Sequence, residues 1–178
     1  RLGVAIGDDL RAEAHRIGIP RALTTHSLYP LFSTFFSQLG MEVVLSGVDP
    51  GGDLKAHSGF CFPVQIAHRA VLDLARHGTR LVFVPHVVRM PQVDACRDSY
   101  LCPISQAAPD YLATAFPDIR FLSPLFDFTN GYESSSALVE TAVRELGTPR
   151  EVAEAAWRSA VRAQTAVDRA LRDLGEQA

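Results

Sequence analysis

Arg80 to Val88 reads Arg-Leu-Val-Phe-Val-Pro-His-Val-Val, the most apolar β run in the chain. A strand with no polar alternation suits burial on both faces, the position of an inner strand in a parallel sheet. The sequence around it supplies the rest of such a sheet. Arg16 to Pro20 carries Ile-Gly-Ile before a proline stop, and Met41 to Leu45 and Ile119 to Leu122 are further short strands. Between them the apolar residues fall at helical spacing. Pro30 to Leu39 carries Leu31, Phe32, Phe35, Phe36 and Leu39 before Gly40, and Pro63 to His77 carries Val64, Ala67, Val71, Leu72 and Ala75 before Gly78. Pro103 to Ala115 and Ser136 to Leu146, the latter closed by Gly147, complete the set; glycine after a periodic run is a helix stop. Alternation at this spacing predicts an α/β fold, an open, mostly parallel sheet covered by helices. Right-handed crossovers then place the loops that begin at Pro20, Ser46, His86 and Pro124 on one edge, where ligands bind in such folds.

The 178 residues hold one sizeable core and an appendage. They divide into an N-terminal strand or linker (1–15), the α/β domain (16–148) and a long C-terminal helix (149–178). Along that helix Ala156, Ala160, Ala163, Val167, Ala170 and Leu174 repeat at spacings of four and three. Such a stripe lets another helix come close, either one of its own domain or that of a second copy in a homodimer. A net charge of −3, with sixteen Arg and the single Lys55 spread along the chain, argues against a nucleic-acid binder. No apolar run approaches the roughly 20 residues that span a bilayer, and no secretory signal heads the sequence. The expectation is a cytoplasmic protein, and a start at Arg1 reads as a domain cut from something larger. No P-loop, G-x-G-x-x-G, G-x-S-x-G or H-E-x-x-H motif is present.

Three cysteines, an odd number, do not make a closed disulfide framework. Cys61 and Cys102 share a setting: each ends a loop, and a proline that opens an apolar-periodic helix follows in Cys61-Phe62-Pro63 and Cys102-Pro103. Unpaired N–H groups and the dipole at a helix start favour thiolate, the form that binds metal or attacks an electrophile. Cys96 lies in the loop before Cys102, so a metal or cluster site would combine a C-x5-C pair with Cys61 from afar. That spacing is not the C-x2-C of zinc ribbons, and ordinary loop thiols are the competing reading. His86, at the end of the apolar strand, is a candidate nitrogen ligand or a histidine satisfied by a loop carbonyl. His68 reads as core or surface, and Arg21 as an anion contact or a structural ion pair.

Three blocks of the sequence resemble a known family. Gly18-Ile-Pro-Arg-Ala-Leu23 with Tyr29-Pro30, Phe35-Phe36, Leu39-Gly40 and Glu42-Val-Val-Leu-Ser46 is the first. Cys61-Phe62-Pro63-Val64 with Ala67-His68 and Val71-Leu72-Asp73-Leu74 is the second, and Ser99-Tyr100-Leu101-Cys102-Pro103-Ile104 with Pro109-Asp110 the third. Together they resemble the 2-hydroxyacyl-CoA dehydratase component superfamily, and within it the uncharacterised domain of activase-related proteins, over residues 16 to 125. The resemblance implies a flavodoxin-like fold, a [4Fe–4S] cluster and low-potential electron transfer to an acyl-CoA dehydratase or reductase. It implies as partner an ATPase-type activase module or a dehydratase subunit. Cys61 and Cys102 match the family's cysteines. His86 and Arg69 stand where relatives often carry cysteine and glycine. Either Cys96 then supplies the third ligand, with His86 or a small ligand at the open site, or the cluster is altered or absent. A cluster-free interaction domain, and a zinc site of Cys61, Cys96, Cys102 and His86, are the alternatives.

Overall fold

The computed structural model describes residues 15–47, 61–92 and 98–177. The segment 1–14, Cys96 and most of the Gly/Asp-rich loop after Ser46 lie outside the described residues. Four strands, β1 (Arg16–Ile19), β2 (Glu42–Leu45), β3 (Leu81–Phe83) and β5 (Arg120–Leu122), form a parallel sheet in the order β2-β1-β3-β5. β4 (His86–Arg89) and β6 (Leu125–Asp127) form a second parallel pair. The helices are α1 (Thr25–Gln38), α2 (Phe62–Arg76), α3 (Pro103–Gln106), α4 (Ala108–Ala115), α5 (Ala137–Leu146) and α6 (Arg150–Glu176). The predicted α/β architecture is therefore present, with its long C-terminal helix.

Side-chain alternation along the strands explains why both faces are covered. Ile17, Ile19, Leu81 and Phe83 point to one face, where they join Phe32, Phe35 and Phe36 of α1 and Trp157 of α6. Val82 and Val84 point to the other, joining Val71 and Leu74 of α2 and Leu112 of α4. Gly18 lies between the two buried isoleucines of β1. A Cβ there would meet Thr79 Cγ2 at 2.9 Å and Leu74 Cδ1 at 3.0 Å, so its lack of a side chain is what lets the end of α2 approach.

Three expected elements differ in extent. The run Arg80–Val88 is not one strand but two, divided at Val84-Pro85; Ser123-Pro124 divides β5 from β6 in the same way. Neither proline has an N–H to give the ladder. Pairing nonetheless resumes in the same register, Phe83 with Leu122 before the break and His86 with Leu125 after it. Backbone bonds from Val84 N to Leu122 O and from His86 N to Pro124 O, each 3.0 Å, hold the interruption together. The helix expected from Pro103 to Ala115 is broken at Ala107 into α3 and α4, because Pro109 in the next turn cannot donate to the turn before it.

The third difference is α1, which begins at Thr25 and runs through Pro30 instead of starting there. An interior proline removes a helix bond and costs about 3 kcal/mol when nothing compensates. Here the fully buried amide of Gln164, on α6, contacts the turn that contains Pro30. Its Oε1 accepts from Leu31 N at 3.1 Å and its Nε2 donates to Ser27 O at 2.9 Å. Nε2 also donates to Asp168 Oδ1 at 2.7 Å, and Tyr132 Oη donates to Asp168 Oδ2 at 3.1 Å. With Phe35 against Trp157 further along, these contacts set α6 antiparallel to α1. The N-terminal part of the Ala-rich helix thus packs on its own domain, with Ala156 and Ala160 buried.

Candidate cysteine pocket at the carboxyl edge of the sheet

The chain leaves β1 toward β2 on one side and returns to β3 on the other. The order β2-β1-β3 therefore places a switch point between the carboxyl ends of β1 and β3, where open α/β sheets form a crevice. The β1–α1 turn is tight and strained there. Leu23 adopts φ 52°, a left-handed conformation that costs a side-chain-bearing residue roughly 1–2 kcal/mol. Such strain persists only where surrounding packing enforces it, and it clusters at functional loops. Arg21 is tied down beside it: its backbone N–H donates to Ser46 Oγ at 2.9 Å and its Nε to Ser46 O at 3.3 Å. Hydrogen bonds to Ser46, and not the expected ion pair, hold Arg21 in this turn.

Leu23 and Thr24 form one wall of an open pocket of about 320 Å³. Cys61 and Cys102 both line it, with Ser27, Met90 and Ser105. Each cysteine is the N-cap of its helix in extended geometry, Cys61 at φ −62°, ψ 153° and Cys102 at φ −52°, ψ 132°. Each is followed by proline in the first turn, the arrangement its sequence setting predicts. Both thiols are free and exposed. The two helices differ: α2 has 15 residues, whereas α3 has 4 and so carries little of a macrodipole.

Tyr111 of α4 is the residue that sequence reasoning passed over. Its ring stacks on His68 of α2 with centroids 5.5 Å apart and planes 9° apart. Its hydroxyl is buried without a hydrogen-bond partner among the described residues. Burial first, and then the nearby Cys61 and Cys102, push its pKa up to about 12. An orphaned donor within electrostatic reach of both thiols suits an anionic sulfur group more than an empty apolar wall. No local signal marks Tyr111; it matters because α4 packs against α2.

The histidines take other places. His68 is buried, and its Nδ1 bonds the Val64 carbonyl at 2.9 Å, which makes it a core histidine. His86 bonds the Gln106 carbonyl through Nδ1 at 3.0 Å, and its Nε2 stands 4.0 Å from Asp110 Oδ1. It does not line the cysteine pocket. The fold thus brings Cys61 and Cys102 to one cavity and leaves His86 beside α3 and α4, while Cys96 lies outside the described residues. Among the described residues no group of three or more His, Cys, Asp or Glu is placed to hold a metal ion. No helix among them is long and apolar enough to cross a membrane.

Comparison with known proteins gives one direct indication. No curated protein and no solved structure matches the chain. A family model, the CoA enzyme activase uncharacterised domain, matches residues 16–178. The match runs past residue 125, where the sequence blocks ended, and takes in the whole of α6.

Proposed function

The chain belongs to the CoA enzyme activase uncharacterised domain family, and from that premise we propose that its cysteine pocket is an iron–sulfur site serving low-potential electron transfer. The observation that carries the proposal is the convergence of Cys61 and Cys102, from helices about 40 residues apart in sequence, on one pocket at the switch point of a parallel sheet. The donor chemistry fits: two exposed thiols line the pocket, and the unpartnered hydroxyl of Tyr111, buried outside its lining, lies within electrostatic reach of both. Cys61 and Cys102 would hold the iron, with Cys96 as the third thiolate. A [4Fe–4S] cluster bound there supplies a one-electron centre of low potential. The chain's own part is to place both thiols at helix starts on one pocket, with the Tyr111 hydroxyl held neutral within electrostatic reach of them. Acyl-CoA chemistry then belongs to a partner, an ATPase-type activase module or a dehydratase subunit.

Anaerobic purification with iron and sulfide analysis tests this. Iron with sulfide in the wild type, lost in both Cys61→Ser and Cys102→Ser, is the expected result. A colourless, iron-free anaerobic preparation with all three thiols titratable overturns it. Stoichiometric zinc without sulfide overturns it in favour of a zinc site.

A further inference from the structure

A third sulfur-bearing residue belongs to the wall of the cysteine pocket. Met90 lines the cavity together with Cys61 and Cys102, whereas Met41, the chain's other methionine, does not. Its place is fixed by the strand it follows. Met90 comes directly after β4, and its backbone N–H donates to Ser99 O at 3.0 Å, while Leu101 N–H donates to Val88 O at 3.0 Å. Between these bonds the Arg89 guanidinium lies 4.0 Å from the centre of the Tyr100 ring. Residue 90 is thereby clamped to the segment that leads into Cys102, and it packs against the aromatic core. His86, four residues earlier, is held by the Gln106 carbonyl and stands outside the lining. Apart from the thiols, the polar side chains of the pocket are the hydroxyls of Thr24, Ser27 and Ser105, hard donors that keep their protons. A thioether is instead soft and neutral, which matches the iron of a sulfide cluster.

Resting on the iron–sulfur reading of this pocket, we propose that Met90 is itself a ligand, its thioether taking an iron that the thiolates leave open. The role expected of His86 thus passes to the residue that shares a cavity with both cysteines. The choice of donor has consequences for the centre. A thioether brings no charge, so a cluster with Met90 at one corner is less negative than one held by thiolates alone, and its reduction potential is higher. A neutral thioether also yields to a stronger anionic ligand, so this corner exchanges where a thiolate corner does not.

Spectroscopy of the anaerobically purified whole chain tests this without any activity assay. Met90→Leu conserves the volume of the wall and removes only the donor. In dithionite-reduced protein, cyanide should bind about tenfold or more tightly to Met90→Leu than to the wild type, read from the shift of the cluster's EPR signal. Met90→Cys, which returns a donor as a thiolate, should move the reduction potential below that of the wild type. Equal cyanide affinities in wild type and Met90→Leu, with iron and sulfide present in both, overturn the Met90 ligand and leave the cluster standing. A potential unmoved in Met90→Cys overturns the ligand as well. A wild-type chain without iron and sulfide overturns the cluster reading itself, and this inference with it.

Discussion

The two faces of the sheet are built from different materials. On the face covered by α1, α5 and α6, large aromatic side chains dominate. Phe83 meets Phe32 at 4.7 Å and Phe36 at 5.0 Å, and Phe126 lies parallel to Trp157 at 6.1 Å. The face covered by α2 and α4 is mostly aliphatic, with Tyr111 Oη, Arg69 Nε and Thr79 Oγ1 buried there without partners, against Trp157 Nε1 on the aromatic face. Of the two cysteine-capped helices, α2 packs on this second side, while α3 buries no residue in either cluster. The cost of unpaired polar atoms therefore falls more heavily on the aliphatic face than on the aromatic one.

Substitutions on each face test that division, and the largest effect belongs to the aromatic side. Phe83→Ala removes the ring at the centre of the cluster and should lower unfolding free energy by about 3–5 kcal/mol in a urea titration. Gln164→Leu comes next. It strips two backbone partners from the Pro30 turn of α1 and should cost about 2–3 kcal/mol, with faster amide exchange at Leu31. If Leu31 exchange is unchanged, Gln164 does not hold that turn. On the other face, Gly18→Val forces a side chain against Thr79 and Leu74 and should cost about 1–3 kcal/mol. Tyr111→Phe should be near neutral or slightly stabilising, since it removes a buried hydroxyl that has no partner. A loss above about 2 kcal/mol would show that the hydroxyl is a structural bond and erase the contrast between the faces.

The smallest effect is one of pH, and it has a representative on each face. Tyr111 is raised to about 12, and Tyr132 is raised further, chiefly by burial and then by Asp168, which accepts its hydrogen bond. In both, folding favours the neutral phenol. Their contribution is therefore fully present below the ordinary tyrosine value of 10.0 and is lost as pH rises above it through the folded values. Melting temperature should fall from about pH 10 upward, and the fall should be shallower in Tyr111→Phe and in Tyr132→Phe. Equal slopes in all three proteins would show that other groups govern alkaline unfolding.

What could be read in advance was local. Cys61 and Cys102 were recognisable as helix N-caps because the cysteine, the proline and the apolar period all fall within a few residues. That the sheet would be parallel and covered by helices followed from the alternation of strand and helix, whereas its order β2-β1-β3-β5 came only with the structure. Pro85 was visible inside its run, but a break that preserves register needs Pro124 opposite it, and that pairing is a property of two strands. Pro30 signalled a helix start by every local rule. Its turn is instead supported by Gln164, 133 residues from Leu31, a distance no window of sequence spans. Tyr111 was illegible for the same reason, since its neighbours His68, Cys61 and Cys102 come from other elements.

The Gln164 contact also constrains when the protein can finish folding. Synthesis delivers α6 long after α1, with 133 residues between Leu31 and Gln164. Until residue 164 has left the ribosome, the Pro30 turn lacks the amide that supports it, and Ser27 in the pocket wall sits on an incomplete helix. Long loops closed this late make folding slow and leave hydrophobic intermediates exposed during synthesis. The cysteine pocket should therefore take its shape only once Gln164 has emerged, and a ribosome stalled before Gln164 would hold a chain whose two cysteines are made but whose site is not yet shaped.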